Sequence, residues 1–232
     1  MKNIRAYGGP HKERPFYENH EIERMCIEEL KTHGLLPEEP SPVRIERYIE
    51  KRLGVTPAYE ELPSNILGFT KFGTRGAEAI VISRSLQDDG TQSSERRVRT
   101  TLAHEAGHAL LHAHLFMKPS RKMKELFDEE HTDVSKVLCR DMVGSSPEAE
   151  AAPKNSWWEY QANAAMGSLL LPENLFRVAA DPFFESTGLL GDMPVITEEG
   201  RDELERSLAD VFDVNPVVVR YRVQQVYFPK RK

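Results

Sequence analysis

The run His104-Glu105-Ala106-Gly107-His108 sets two imidazoles four residues apart, with a carboxylate beside the first. On a helix, positions i and i+4 share a face one turn apart, so both rings can offer a nitrogen to a single point. Two neutral imidazoles, a third protein ligand and an open position are what a hydrolytic zinc ion requires. Glu105 stands next to the pair, where it can act as a base toward a water at the open position instead of binding the ion. The pattern therefore marks His104 and His108 as metal ligands and Glu105 as the catalytic base. The bland alternative is a pair of core histidines, and the character of the surrounding helix decides between them.

Residues 98–116 contain no proline, and Gly107 is their one weak helix former. At 100° per residue Val98, Leu102, Ala106, Ala109, Leu110 and Ala113 share a broad apolar face, while His104, His108 and His112 line a separate stripe. Such a helix packs one side on a core and turns the other toward a cleft, as a metal-bearing helix must.

The third ligand has more than one candidate. His114 stands where the metzincin pattern H-E-x-x-H-x-x-G-x-x-H ends, but that pattern needs a glycine at the position of Leu111 to turn the chain back. In a continuous helix His114 lies ~15 Å and His112 ~12 Å along the axis from His104, too far to close one site. Both are read as groups supporting a ligand or as plain surface. Glu159 lies on a predicted second helix that starts near Trp157 and is stopped by Pro172, with Asn163 one turn on to orient a group at the metal. Ser156-x-x-Glu159 is equally a capping box, in which Glu159 satisfies only the helix start. The residues by themselves leave the ligand and capping readings of Glu159 even.

Taken together, TTLAHEAGHALLH and WWEYQANAAMGSLLLP resemble the ImmA/IrrE family of zinc metallopeptidases, in which the H-E-x-x-H helix is followed by a second helix with an E-x-x-A-N signature. The likeness covers roughly residues 43–223 and is strongest over 98–172. It extends more loosely to the strand-like 79–83 and to 208–215 with the arginine-bearing helix after it. The resemblance implies that His104, His108 and Glu159 are the ligands of one zinc ion per chain, with Glu105 the base. It implies a zincin-like α+β fold, a helical body with the HExxH helix and a second ligand helix beside a small antiparallel sheet. In zincins an edge strand pairs with extended substrate, and 79–83 is expected to be that strand. Tyr160, His112 and His131 are candidates for steadying an oxyanion. The implied function is a cytoplasmic zinc-dependent endopeptidase hydrolysing a regulatory protein, a helix-turn-helix repressor, in response to stress or mobile-element induction. Two alternatives stand beside it. One is a non-enzymatic zinc-fold regulator that binds a partner protein. The other is a DNA-binding transcription factor using 204–226 as a helix-turn-helix, against which the acidic composition and the Val217-Val218-Val219 run favour a core-closing role.

The 232 residues carry 39% hydrophobic and 29% charged side chains, the balance of a soluble globular protein with one domain or one domain with appendages. The net charge of −6 argues against a nucleic-acid surface, and Lys230-Arg231-Lys232 reads as a solvated tail. No secretory leader or bilayer-spanning run is visible, so the expected setting is the cytoplasm, with no membrane partner and a monomer favoured. Cys26 and Cys139 form no C-x-x-C pair, which fits a reducing compartment.

Residues 1–18 are expected to be poorly ordered, 19–196 to form the metallopeptidase domain with a long loop at 117–156, and 197–232 to be a helical pair packed on it. Within the domain, helices are predicted from Asn19 to Gly34, with Ile22, Met25, Cys26 and Leu30 inward, and from Ser41-Pro42 to Gly54. Strands are predicted over 66–72 and 78–84 with a hairpin at 73–76, and a short strand over 134–139. Helices are expected near 198–212 and 216–227, the second with Asn215-Pro216 as cap and first turn. Arg96, Arg97 and Arg99 are read as substrate contacts or as a solvated helix start.

Overall fold

A computed structural model of the chain describes residues 2–5, 13–73, 75–87, 90–116, 136–140, 157–186 and 194–229. The architecture is α+β, and its long elements pack around one apolar cluster. Chain order runs β1 (Lys2–Arg5), β2 (Glu13–Phe16), α1 (Asn19–Thr32), α2 (Ile45–Leu53), β3 (Ala58–Glu60), β4 (Ile66–Gly73), β5 (Gly76–Ser83), α3 (Gln92–Phe116) and β6 (Lys136–Arg140). It continues through α4 (Trp157–Leu170), α5 (Glu173–Ala180), β7 (Glu185–Ser186), β8 (Pro194–Val195), α6 (Glu198–Phe212) and α7 (Pro216–Val226). The remainder of the expected loop at 117–156 lies outside the described residues, as do Ser156 and His131. Within residues 1–18, β1 and β2 pair antiparallel, with Lys2 opposite Phe16 and Arg5 opposite Glu13.

The main sheet has the order β3-β5-β4-β6. Strands β4 and β5 form the expected hairpin, closed at Gly73 and Gly76, and Gly76 takes φ 124°, which a side chain would disfavour. Two expectations are corrected here. The sheet is mixed, because β3 runs parallel to β5, with Ala58 opposite Val81 and Glu60 opposite Ser83. For the same reason Val81 and Ile82, within the stretch expected as an edge, are paired on both sides and are not an edge, whereas Ala79 and Ile80 pair with β4 alone. The edges are β3 and β6. A three-residue strand such as β3 has no room for an alternating pattern, which hides it from the sequence.

Helix α3 lies across this sheet with matched periods. Successive same-face strand residues are about 7 Å apart and helix residues i, i+4 about 6 Å, so two strand positions can track two helix positions. Here Gly68 sits under Thr101, where a Cβ on the glycine would come within 2.9 Å of the threonine methyl, and Thr70 sits under Glu105. On its other side α3 meets α4. Ala162 and Ala165 of α4 face Gly107, where an added Cβ would be 2.9 Å from the Ala162 carbonyl oxygen and 3.0 Å from the Ala165 methyl.

Helix α1 packs against α4 from behind. Its Ile22, Cys26 and Leu30, at four-residue spacing, are wholly buried, and the Cys26 thiol lies 3.8 Å from the Ala165 carbonyl. Glu21 accepts a hydrogen bond from the Glu18 amide at the helix start, and Gly34 at φ 63° turns the chain away at the end. Helix α2 begins at Ile45 and not at Ser41-Pro42: the Val43 carbonyl accepts from the Ile45 amide and from Arg99, so that stretch is spent on anchoring α3. Gly54 closes α2 in the left-handed conformation, as expected.

The carboxy-terminal pair forms as predicted, with the Asn215 side chain accepting from the Val217 amide as the cap of α7. Val218 and Val219 are buried in the common cluster with Leu204, Leu208 and Phe212. Arg96 is buried and Arg99 partly so, and both are held in ion pairs, which corrects the reading of a solvated helix start. Arg96 bonds to Asp210 at 2.8 Å and Asp213 at 3.0 Å, and Arg99 to Asp213 at 3.0 Å, which ties the start of α3 to the turn between α6 and α7.

A second ion pair holds α4 in place. Buried Arg222 of α7 bonds to Glu23 of α1 and, at 2.9 Å, to the Leu171 carbonyl just past α4, while the other Glu23 oxygen accepts from the Glu173 amide at 2.7 Å. Removing one partner of such a pair leaves a buried charge uncompensated. Arg222→Ala is expected to cost about 3–5 kcal/mol in urea unfolding, and combining it with Glu23→Leu to restore part of that loss. Equal midpoints for Arg222→Ala and the unaltered protein would show that the pair holds nothing.

Candidate metal centre

Both imidazoles of the motif sit in the middle of α3, and both are buried. Their Nε2 atoms face each other at 3.0 Å, as the one-turn spacing demands. The carboxylate of Glu159, near the start of α4, reaches the same point, with Oε2 3.1 Å from His104 Nε2 and Oε1 3.5 Å from His108 Nε2. His104, His108 and Glu159 thus form a group able to hold a metal ion. Glu159 turns its carboxylate toward the histidines, and its side chain is the one partly exposed member of the three. Asn163, one turn further on α4, places Oδ1 3.0 Å from His104 Nδ1, the orienting role its position suggested.

Glu105 is wholly buried, and its two carboxylate oxygens have different surroundings. Its Oε2 accepts a 2.6 Å hydrogen bond from the Thr70 hydroxyl of β4. Its Oε1 is buried with no hydrogen-bond partner. An unsatisfied buried carboxylate oxygen is costly unless a ligand or water completes it, so Oε1 marks where a polar group belongs.

The electrostatics suit this division of labour. Burial pushes the Glu105 carboxyl up to about 7, against the opposing pull of His104 and the Thr70 hydroxyl, which brings it into the range of a neutral-pH base. Burial would also raise Glu159, but its interactions with the two imidazoles outweigh it and hold this carboxyl well below the usual range. Burial lowers His108 and, more strongly, His112, which favours the neutral ring with its nitrogen lone pair at both.

The other histidines part company. His114 is exposed on α3 and touches none of these groups in the contacts described, as the axial distance required. His112 is fully buried, its Nδ1 3.0 Å from Nδ1 of His108 and its Nε2 3.0 Å from Gln161 Oε1. It therefore stands behind His108, and with both ring nitrogens engaged by protein partners it is not free to serve as an oxyanion donor. Tyr160 is also removed from that role, because it is exposed and its hydroxyl donates to Asn19 of α1 at 3.0 Å.

Three contributors have little or no signature in the sequence. Thr70 is 35 residues from the carboxylate it holds. Gln161 follows the ligand helix pattern, but nothing local marks its partner. Gly107 reads as a weak point in a helix, yet it is the gap that lets α4 approach, and the small residues Ala162 and Ala165, three positions apart on one face of α4, are its trace in the sequence. Comparison with family models, curated proteins and solved structures finds no match for this chain.

Gly107→Ala tests the close crossing. Alanine is the better helix former by about 1 kcal/mol, but its methyl would displace the α4 backbone, and overpacking of this kind costs about 1–3 kcal/mol. The expected result is a lower thermal midpoint together with weaker metal binding, since Glu159 rides on α4. A raised midpoint with unchanged metal affinity would mean that the helices have room to spare.

Proposed function

We propose that the chain is a zinc-dependent endopeptidase of the ImmA/IrrE kind with a zincin-like site, acting on a helix-turn-helix repressor. The observation that carries the reading is the convergence of His104 Nε2, His108 Nε2 and the Glu159 carboxylate, together with the buried, unpaired Oε1 of Glu105, the residue that follows His104. A tetrahedral zinc ion with bonds of ~2.0–2.2 Å spaces its ligands ~3.3–3.6 Å apart, so separations of 3.0, 3.1 and 3.5 Å need adjust by only a few tenths of an ångström. Two nitrogens and one carboxylate form the donor set of a hydrolytic site.

When bound, zinc would polarise a peptide carbonyl and bring the pKa of a water toward 7. The residues supply the rest. Thr70 holds one oxygen of Glu105, so the other is fixed in place with its lone pairs free to accept the proton of the attacking water. As the water oxygen bonds to the carbonyl carbon, that proton passes to Glu105 and then to the leaving amine as the carbon–nitrogen bond breaks. The repressor as substrate follows from the family resemblance. A DNA-reading role for the carboxy-terminal pair finds no support: Val218, Val219 and Arg222 are buried, and Arg220 donates to Glu205 through Nε and Nη2.

Purified protein is expected to hold one zinc ion per chain, measured by elemental analysis. His104→Ala, His108→Ala and Glu159→Ala should each abolish or greatly weaken uptake, while His114→Ala leaves it unchanged. A chain that takes up no zinc, or one that loses it with His114→Ala alone, overturns this ligand set.

Glu105→Gln is expected to keep both zinc and fold but to stop cleavage of a repressor encoded beside this chain, because an amide oxygen is a poor proton acceptor. Undiminished cleavage would place the base elsewhere. Tight, sequence-specific DNA binding by the chain itself would replace the peptidase reading with the transcription-factor one.

A further inference from the structure

We infer that His112, Gln161 and the main-chain carbonyl of Pro15 form a hydrogen-bond relay that fixes the proton of His108 on Nδ1 and so keeps its Nε2 lone pair for the metal. The inference rests on the metal-centre reading above and adds two positioning residues and a piece of the amino-terminal strand to it.

The direction of every bond follows from donor and acceptor chemistry, starting at the end remote from the ligands. A proline carbonyl can only accept. Gln161 approaches the Pro15 oxygen at 2.9 Å, so it must present its NH2 group there. That turns Gln161 Oε1 toward His112, 3.0 Å from Nε2, and an amide oxygen can only accept, so His112 carries its hydrogen on Nε2. A neutral imidazole has one N–H, which leaves His112 Nδ1 bare. The atom facing it at 3.0 Å is His108 Nδ1, which must therefore donate. The remaining nitrogen of His108 is Nε2, unprotonated and aimed at His104 and Glu159.

Pro15, Gln161, His112 and His108 are all buried, so water does not offer substitute partners along the chain of bonds. Without the relay, His108 is free to move its hydrogen to Nε2 and donate it to Glu159, 3.5 Å away, where it would have to be lost before a metal could bind. The relay joins α3, α4 and β2. Its anchor is backbone, so it does not depend on the rotamer of another side chain.

The test uses the full chain, metal-free, with 15N-labelled histidine. Long-range proton–nitrogen correlation spectra read the tautomer of His108, and zinc titration against a competing chelator reads affinity. The unaltered protein should show hydrogen on Nδ1. Gln161→Leu removes both ends of the relay and should let the Nε2–H form appear, with Kd for zinc rising about 10–100-fold. Gln161→Glu keeps an oxygen to accept from His112 and should retain the Nδ1–H form and most of the affinity. A merely structural glutamine would lower stability in both variants and leave the tautomer of His108 alone. Finding Nε2–H in the metal-free unaltered protein, or an unchanged tautomer and Kd in Gln161→Leu, overturns the relay. The first of these needs no variant to fold. Failure of the zinc reading would look different: the unaltered chain would take up no zinc, whichever nitrogen of His108 bears the hydrogen.

Discussion

The distance between the backbones of α3 and α4 governs the rest of the structure. Two of the candidate ligands are on one helix and the third is on the other, so their separation is set by how closely two main chains can approach. At Gly107 there is no side chain on α3, and the facing positions on α4 are alanines, so the Ala162 carbonyl oxygen comes within 2.9 Å of where a Cβ would stand. A larger residue at that point would move Glu159 as a rigid consequence, because side-chain rotation spans less than a helix displacement. The elements behind α4 then act as a backstop. Packing from α1, with Cys26 against Ala165, and the Arg222 bond to the Leu171 carbonyl press the helix toward α3 from the far side.

The opposite face of α3 meets a different kind of surface. There a strand supplies the partner, and its two-residue period matches one helical turn, so Gly68 admits Thr101 and Thr70 receives Glu105. The carboxylate of Glu105 is therefore oriented by the sheet, while the imidazoles are oriented by α4. These two supports are independent, and each has a neutral polar group where a charge would otherwise be buried alone. The cost of placing Glu105 in a dry site appears in its raised pKa, which is the property a proton acceptor at neutral pH requires.

How much of this could be read from the chain depends on sequence separation. The helix carrying His104 and His108, the helix carrying Glu159 and the pair at the end, whose last helix has Asn215-Pro216 as cap and first turn, are local patterns of period 3.6, and they stand where expected. The β4–β5 hairpin is equally local. What was hidden is relational. Thr70, the Pro15 carbonyl and the aspartates that grip Arg96 and Arg99 are chosen by tertiary packing across 35 to 146 residues of sequence, and no periodicity reports it. The edge-strand expectation for 79–83 failed over 81–83 for the same reason: β3 is too short to announce itself, yet it covers that part of the flank. His112 was legible as lying on the correct side of the helix, but its burial was not.

Cys26 turns the α1–α4 contact into something chemistry can time. Its thiol is wholly buried beside the Ala165 carbonyl, and burial pushes its pKa up, so the nucleophilic thiolate is scarce while the two helices remain together. An alkylating reagent can reach this sulfur only through molecules in which α1 has swung clear. The speed of its labelling is therefore a clock for that separation. It would count, from behind the ligand helix, how often the support for Glu159 momentarily lets go.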